Sequence, residues 1–178
     1  MEYDNFIEFI TVSLGGDIVS WTGNERDPLI VEASFPDMKF RSCCFYKALM
    51  MFIAVAPGNQ IAVRKYGTID WKLITVPSGY WSSVSASRTL VVMTATDGKM
   101  IVSKDLKTWF NIENPSMLKI SCLANNLTEN LWDYRQPFFI AAGDGSNNPD
   151  GSIIGSITEH AAELGGRRYE VVSSVKGE

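Results

Sequence analysis

The sequence predicts an all-β protein, a β-propeller-like array of about four blades whose first blade lacks its inner strand. Two observations support this prediction. Apolar and polar residues alternate with a period of two along most of the 178 residues, as in half-buried strands, and helical periodicity is nearly missing. A pattern of an apolar run, a turn signal and a second apolar run also occurs four times, which indicates a repeated structural unit.

Each repeat contains one predicted hairpin. The strand pairs of these hairpins are FIEFITVS and DIVSW, LMMFIAVA and QIAVRKY, TLVVMTA and KMIVSK, and FFIAAG and SIIGSIT. The turns between them contain Gly15-Gly16, Pro57-Gly58-Asn59, Asp97-Gly98 and a loop rich in Asp, Asn, Pro and Gly. Such residues favour tight turns, so the two runs of each pair are expected to be antiparallel neighbours.

Further strands complete each unit. A strand is predicted after every hairpin, in PLIVEAS, WKLITVP, WFNIENP and YEVVSSV, and before three of them, in FRSCCFY, WSSVSAS and KISCLAN. Four strands in about 40 to 50 residues have the size of a propeller blade. The first unit begins with its second strand. We therefore predict one domain over residues 1–178, with approximate units at 1–37, 38–78, 79–116 and 117–178.

Composition argues against several classes of protein. A net charge of −4, with no basic cluster longer than Arg167-Arg168, predicts that the chain does not bind nucleic acid. No apolar run reaches the roughly 18 residues of a membrane-spanning helix, so no membrane insertion is expected. Cys43, Cys44 and Cys122 lack metal-ligand spacing and are interpreted as small core residues in a reducing compartment.

The segment Ser103-x-Asp105-x-x-Thr108-Trp109 lies between the third and fourth predicted strands of the third unit. The short oxygen-bearing side chains can bond backbone groups that a turn leaves unpaired, and the indole can close an apolar layer. The segment resembles the Asp-box, Ser-x-Asp-x-Gly-x-Thr-Trp, of sialidase-like (bacterial-neuraminidase-repeat) propellers. The resemblance implies that these four residues fasten a turn and do not form a site.

Departures from the Asp-box pattern occur in both units where it can be followed. The copy in the third unit is one residue short and has no Gly. In the second unit Trp71 keeps the family spacing, but Arg64 and Tyr66 replace the Ser and the Asp. We interpret Trp71 as a further structural residue of this pattern.

Catalysis is the first function that the resemblance raises, because sialidases have this architecture. The family's chemistry implies three substrate-binding arginines, a tyrosine paired with a glutamate, and an aspartate as acid and base. The seven arginines of this chain do not occur at matching places in successive units, and no pair of carboxylates is placed to flank a glycosidic bond. His160 has no Ser or Cys motif nearby. We therefore predict no enzyme, no catalytic residue and no cofactor.

Two aromatic groups are candidates for binding a glycan or a protein, because flat side chains stack on sugars and also form interface hot spots. The first group lies between the second and third units, and the second lies in the insertion LTENLWDYRQP. Insertions in repeat arrays map to one face, often the binding face, so we favour the second group. For the tryptophan of the first group, inter-blade core is the alternative. The candidates are Tyr80, Trp81, Trp132, Asp133, Tyr134 and Arg135.

The loop that begins at Asp144 places oxygen-bearing side chains at alternate positions, which is the spacing of hard ligands for Ca²⁺. Pro149 occupies the position where an EF-hand loop has its turn glycine, and the closing Glu is missing. A polar turn is the alternative interpretation, and we expect no metal. The candidate ligands are Asp144, Ser146, Asn148 and Asp150.

The predicted function is interaction. Either the leading residues or the C-terminal SSVKGE supply the missing inner strand of the first blade, or the blade keeps an unpaired strand edge. Unpaired edges pair with other chains, so protein partners or self-association are expected. The resemblance suggests a structural protein of a tailed-phage virion, in a tail, collar or capsid, that acts through assembly or host-surface contacts. The expected location is the virion, with the cytoplasm as the alternative. A carbohydrate-binding module is the alternative function, and a sialidase-like hydrolase is the third.

Overall fold

A computed structural model describes residues 8–112, 119–125, 138–144, 153–158 and 170–174. These residues form strands and turns, and none of them is helical. The predicted all-β class is confirmed.

Four antiparallel sheets are built from strands that follow one another in the chain. Sheet 1 contains β1 (Phe9–Val12), β2 (Asp17–Trp21) and β3 (Ile30–Ser34). Sheet 2 contains β4 (Ser42–Tyr46), β5 (Met51–Val55), β6 (Gly58–Lys65) and β7 (Lys72–Gly79). Sheet 3 contains β8 (Trp81–Ala86), β9 (Val91–Ala95), β10 (Met100–Ser103) and β11 (Phe110–Ile112). Sheet 4 contains β12 (Lys119–Asn125), β13 (Phe138–Asp144), β14 (Ile153–Thr158) and β15 (Glu170–Ser174).

The described apolar core lies in three layers, one at each junction between consecutive sheets. Ile18 of sheet 1 packs with Ala54 and Ala62 of sheet 2, and the largest layer joins sheets 2 and 3. The third layer contains Leu123 and Phe139 of sheet 4, which pack against sheet 3. The middle strand β9 is buried on both faces for this reason, and its sequence VVMTA is a nearly continuous apolar run.

The first strands of sheets 2, 3 and 4 lie side by side in chain order. Each also contacts the second strand of the preceding sheet, β5 with β8 and β9 with β12. The strand of sheet 1 that contacts β4 in this way is β1, so β1 takes the place of a second strand. Sheet 1 thus has three strands because nothing in the described part of the chain pairs with the outer side of β1.

The β1–β2 hairpin depends on a glycine at its turn. Gly16 has a φ of +92°, and its carbonyl accepts a hydrogen bond from Phe35 N–H at 2.9 Å. A Cβ at this position would lie 2.0 Å from the backbone oxygen of Phe35. Only glycine fits both requirements, which explains the Gly-Gly turn signal of the first repeat.

Candidate functional site

The turn from Ser103 to Trp109 connects β10 with β11. Asp105 Oδ1 accepts hydrogen bonds from the backbone N–H groups of Thr108, at 2.7 Å, and Lys107, at 2.8 Å. Asp105 Oδ2 accepts the Thr108 hydroxyl at 3.2 Å. The Ser103 hydroxyl accepts the N–H of Leu106 at 2.9 Å and donates to Asp105 Oδ1 at 3.1 Å. The side-chain oxygens of Ser103, Asp105 and Thr108 therefore bond within the turn, as a structural fastening requires, whereas the buried Trp109 Nε1 has no hydrogen-bond partner in the described part of the chain.

Leu106 occupies the part of the turn where the Asp-box has glycine. Its φ is +60°, in the left-handed region that a residue with a Cβ rarely adopts. Its side chain is buried in the core between sheets 2 and 3, and Trp109 packs against the same core. The hydroxyl of Tyr46 from sheet 2 lies 2.8 Å from the Lys104 carbonyl. Burial of the leucine offsets the backbone strain and ties the turn to sheet 2.

A cleft of about 270 Å³ lies beside this turn, lined by apolar side chains such as Leu90 and Phe110 and by the turn itself. The backbone hydrogen bond from Thr108, followed by that from Lys107, lowers the pKa of Asp105 to about 2. A carboxyl group with this pKa is ionised at neutral pH and donates no proton there. No second acid lines the described walls of the cleft, so they lack the carboxylate pair of a glycosidase.

We expect Asp105→Asn to lower the melting temperature at neutral pH, because the amide binds the turn N–H groups more weakly than the carboxylate does. The pKa of Asp105 is lower in the folded protein than in the unfolded chain, where it is about 4. The stabilisation by the charge is therefore complete above about pH 4 and is lost as pH falls to about 2. Thermal unfolding across this pH range should show the two melting temperatures converging.

Asp97→Asn is the matched control for this variant, because Asp97 accepts one backbone hydrogen bond, from Lys99 at 3.1 Å. It should have a smaller effect at neutral pH. If Asp105→Ala leaves the melting temperature unchanged, the structural role of the Asp-box-like turn is contradicted.

Arg64 of sheet 2 occupies the position that the serine has in the Asp-box, and it forms a cluster of ion pairs. Arg64 is 3% exposed, and its guanidinium contacts the carboxylate of Glu8 and the carbonyl of Thr68. Its Nε lies 3.2 Å from Glu32 Oε2, as an ion pair without hydrogen-bond geometry. Trp71 Nε1 donates to the same glutamate oxygen at 2.7 Å. Glu8 directly precedes β1 and Glu32 lies in β3, so the cluster joins sheets 1 and 2.

Two aromatic rings surround the same guanidinium. Its carbon lies 4.7 Å from the ring centre of Phe52 and 5.5 Å from that of Trp71. These contacts add cation–π attraction to the ion pairs. The sequence identifies Arg64 only as a residue that replaces the Asp-box serine. No local pattern predicts that Glu8 and Glu32 are its partners.

The first aromatic group is divided between surface and core. Tyr80 is 66% exposed, whereas Trp81 is 0% exposed and donates its indole N–H to Pro77 O at 3.1 Å. Trp81 packs between sheets 2 and 3, and a buried ring offers no face to a ligand. This corrects its selection as a ligand-binding candidate in favour of the core alternative. Only Tyr80 remains accessible.

The second aromatic group lies outside the described residues, as do His160 and most of the predicted Ca²⁺ loop. The residues concerned are Trp132, Asp133, Tyr134, Arg135, Ser146, Asn148 and Asp150. Asp144 is the last residue of β13. In the described part of the chain no three His, Cys, Asp or Glu side chains are grouped as metal ligands would be.

The cysteines of β4 are packed at sheet junctions. The Cys43 thiol lies 3.3 Å from the Ile10 carbonyl, and Cys44 packs against the core between sheets 2 and 3. Burial raises the pKa of both thiols, and for Cys44 the neighbouring Cys43 raises it further. Neither group is therefore a reactive thiolate at neutral pH.

Sheet 1 presents an apolar face on the side away from sheet 2. Ile10 and Val12 pack towards sheet 2, so alternation places Phe9 on the opposite face, across from Trp21. The two rings lie 5.6 Å apart. Phe9 is 52% exposed, and Val31 of β3 is 60% exposed. No strand in the described part of the chain packs extensively on this face.

Comparisons with known proteins show the fold and no family. No protein-family model and no curated protein matches the chain. The structure is similar to a chain in a solved structure titled "Crystal structure of Nidogen/Laminin Complex", with a TM-score of 0.69 and 9% sequence identity. The similarity covers 94% of this chain and 61% of that chain, so this chain spans about three-fifths of its length. At this identity the likeness supports a shared β-rich architecture alone.

Among the residues that the structure describes, no helix has the length and apolar character that crossing a bilayer requires.

Proposed function

We propose that this chain is a non-catalytic interaction module with about four propeller-like blades, of which the first lacks its inner strand. Sheets of three, four, four and four strands in chain order support this arrangement, as do the adjacent first strands β4, β8 and β12. The similarity to the chain of the nidogen/laminin structure is consistent with it. In this proposal Ser103, Asp105, Thr108, Trp109 and Trp71 stabilise the fold and bind no ligand.

The observation that carries the proposal is the uncovered side of sheet 1. An apolar face with two neighbouring aromatic rings lies next to a strand edge that has no partner in the described residues. Exposed apolar patches and free strand edges both favour association with other protein chains. We therefore propose that the module works by assembly.

The virion is the proposed location. In having an Asp-box-like segment and an incomplete first blade, this chain resembles structural proteins of tailed-phage tails, collars or capsids. Such a component acts through contacts with other virion proteins or with the host surface. Assembly through sheet 1 would give this chain the means to take either role.

Light scattering over a range of concentrations tests assembly. We expect the mass to rise above the monomer value of 19.8 kDa as concentration increases, because the apolar face of sheet 1 can be buried between molecules. The double variant Phe9→Ser/Val31→Ser should reduce this association. Ile69→Ser is the matched control, because Ile69 is exposed to 81% in a turn of sheet 2.

Two results would contradict this proposal. A protein that stays monomeric at every concentration and binds glycans would be the carbohydrate-binding alternative, with Tyr80 as the accessible residue of the first aromatic group. Turnover of a fluorogenic sialoside would instead support a hydrolase.

A further inference from the structure

We propose that the outer edge of β1 binds an extended segment of a partner protein, which joins sheet 1 as a fourth, antiparallel strand. This inference rests on the proposed interaction function and specifies where the partner binds and what chemistry it needs.

Hydrogen-bond parity identifies the backbone groups at this edge. Ser13 N–H donates to Asp17 O at 2.9 Å, so Ser13 bonds across the hairpin. Alternate residues of an antiparallel strand bond to the same neighbour, which means that Thr11 also faces β2. The backbone groups of Ile10 and Val12 then face away from β2.

One of these outward groups is already occupied. The Ile10 carbonyl accepts the Cys43 thiol from β4 at 3.3 Å, which is a weak hydrogen bond. The N–H groups of Ile10 and Val12 and the carbonyl of Val12 have no partner in the part of the chain that the structure describes. These groups are the donors and acceptor that an added strand would use.

The three other sheets show what kind of strand fits. In each of them the corresponding edge is covered by a first strand, β4, β8 or β12. Hydrogen bonds join neighbouring first strands. The Ser42 hydroxyl accepts Val84 N–H at 3.2 Å, and the Ser83 hydroxyl accepts Leu123 N–H at 3.0 Å. Small side chains permit this approach, and β4 and β8 contain several Ser, Cys and Ala residues.

The chemistry of the partner segment follows from this repeat. Residues that face β4 should be small, with a serine whose hydroxyl accepts an N–H from that strand. Residues on the other face should be apolar, because they would lie beside Phe9 and Trp21. The alternation of small polar and apolar residues at a period of two is a specific requirement on the partner sequence.

A single strand suits the position better than the sheet of a second copy. Every strand of the described residues already belongs to one of the four sheets, so a second copy has no spare described strand to donate. The position beside β1 is also bordered by β4. If the incoming strand belonged to a larger sheet, the next strand of that sheet would overlap with the row formed by the first strands β4, β8 and β12. A single extended segment would not overlap with them.

The first experiment uses a labelled peptide with the sequence of residues 80–87, YWSSVSAS, which contains β8, and a scrambled peptide as control. Amide exchange measured by NMR should show fast exchange at Ile10 and Val12 and slow exchange at Thr11 in the free protein. Saturating peptide should slow exchange at Ile10 and Val12, and the scrambled peptide should not. Protection of these two amides in the free protein, or peptide binding that leaves them unprotected, would overturn the proposal.

The second experiment compares Val12→Pro with Val12→Ala. Both variants remove the branched side chain, but only proline removes the outward N–H, and proline is tolerated at the edge of a sheet. We expect Val12→Pro to weaken peptide binding about tenfold relative to Val12→Ala, which corresponds to one hydrogen bond. Equal affinities would overturn the strand-addition site. The light-scattering result should be the same for both variants, so loss of this site and loss of the assembly function can be distinguished.

Discussion

Arg64→Ala should lower the free energy of unfolding by about 3–5 kcal/mol, the range for removing one partner of a buried ion pair. The substitution leaves the largely buried carboxylate of Glu32 and the partly exposed carboxylate of Glu8 without their positive partner. It also removes the cation from between the rings of Phe52 and Trp71. Because both glutamates come from the region of sheet 1, the loss should act on the junction between sheets 1 and 2.

Denaturant unfolding at neutral pH measures the change in free energy. In thermal unfolding, a domain of this size should lose roughly 2–4 °C of melting temperature for each kcal/mol. Arg64→Met/Glu8→Gln/Glu32→Gln is the matched control, because it removes all three charges and keeps similar volumes. It should recover most of the lost stability, since an uncharged cluster has no unpaired buried charge. A loss of less than about 1 kcal/mol in Arg64→Ala would place the cluster among exposed ion pairs of little energetic value.

This cluster also shows where sequence reasoning stops. The strands were predictable because alternation and turn residues are local: the Asp97-Gly98 turn and the two runs around it identify β9 and β10 without reference to the rest of the chain. The partners of Arg64 were not predictable, since Glu8 lies 56 residues away and only the packing of two sheets brings it into contact.

The candidate site divides in the same way. The Asp105 turn is formed by residues within six positions of one another, so its residue types indicated a fastening. The apolar face of sheet 1 depends on which sheet covers which face, and alternation alone does not decide that. The three-strand first unit was visible in the sequence, but the free groups of Ile10 and Val12 required the register of β1 with β2. Local chemistry was therefore predictable, and surfaces made by packing were not.

Trp81→Ala should lower the free energy of unfolding by about 3–5 kcal/mol, the usual range for truncating a buried tryptophan. The ring is 0% exposed in the core between sheets 2 and 3, and its N–H bonds to Pro77 O at 3.1 Å. Truncation leaves a cavity at this junction and an unpaired carbonyl. Tyr80→Ala is the matched control one residue away, because Tyr80 is 66% exposed, and it should change stability by no more than about 0.5 kcal/mol.

Gly79 provides an independent test of the same packing. A Cβ at Gly79 would lie 2.8 Å from Cε2 and Cζ2 of Trp81, which is closer than non-bonded carbon atoms approach in folded proteins. Gly79→Ala should therefore destabilise the wild-type protein and have a much smaller effect when Trp81 is already Ala, because the obstructing ring is gone. A double-mutant cycle by denaturant unfolding measures this coupling. Additive effects, or a Trp81→Ala variant as stable as Tyr80→Ala, would mean that the indole is not packed between the sheets and would restore Trp81 as a candidate for ligand binding.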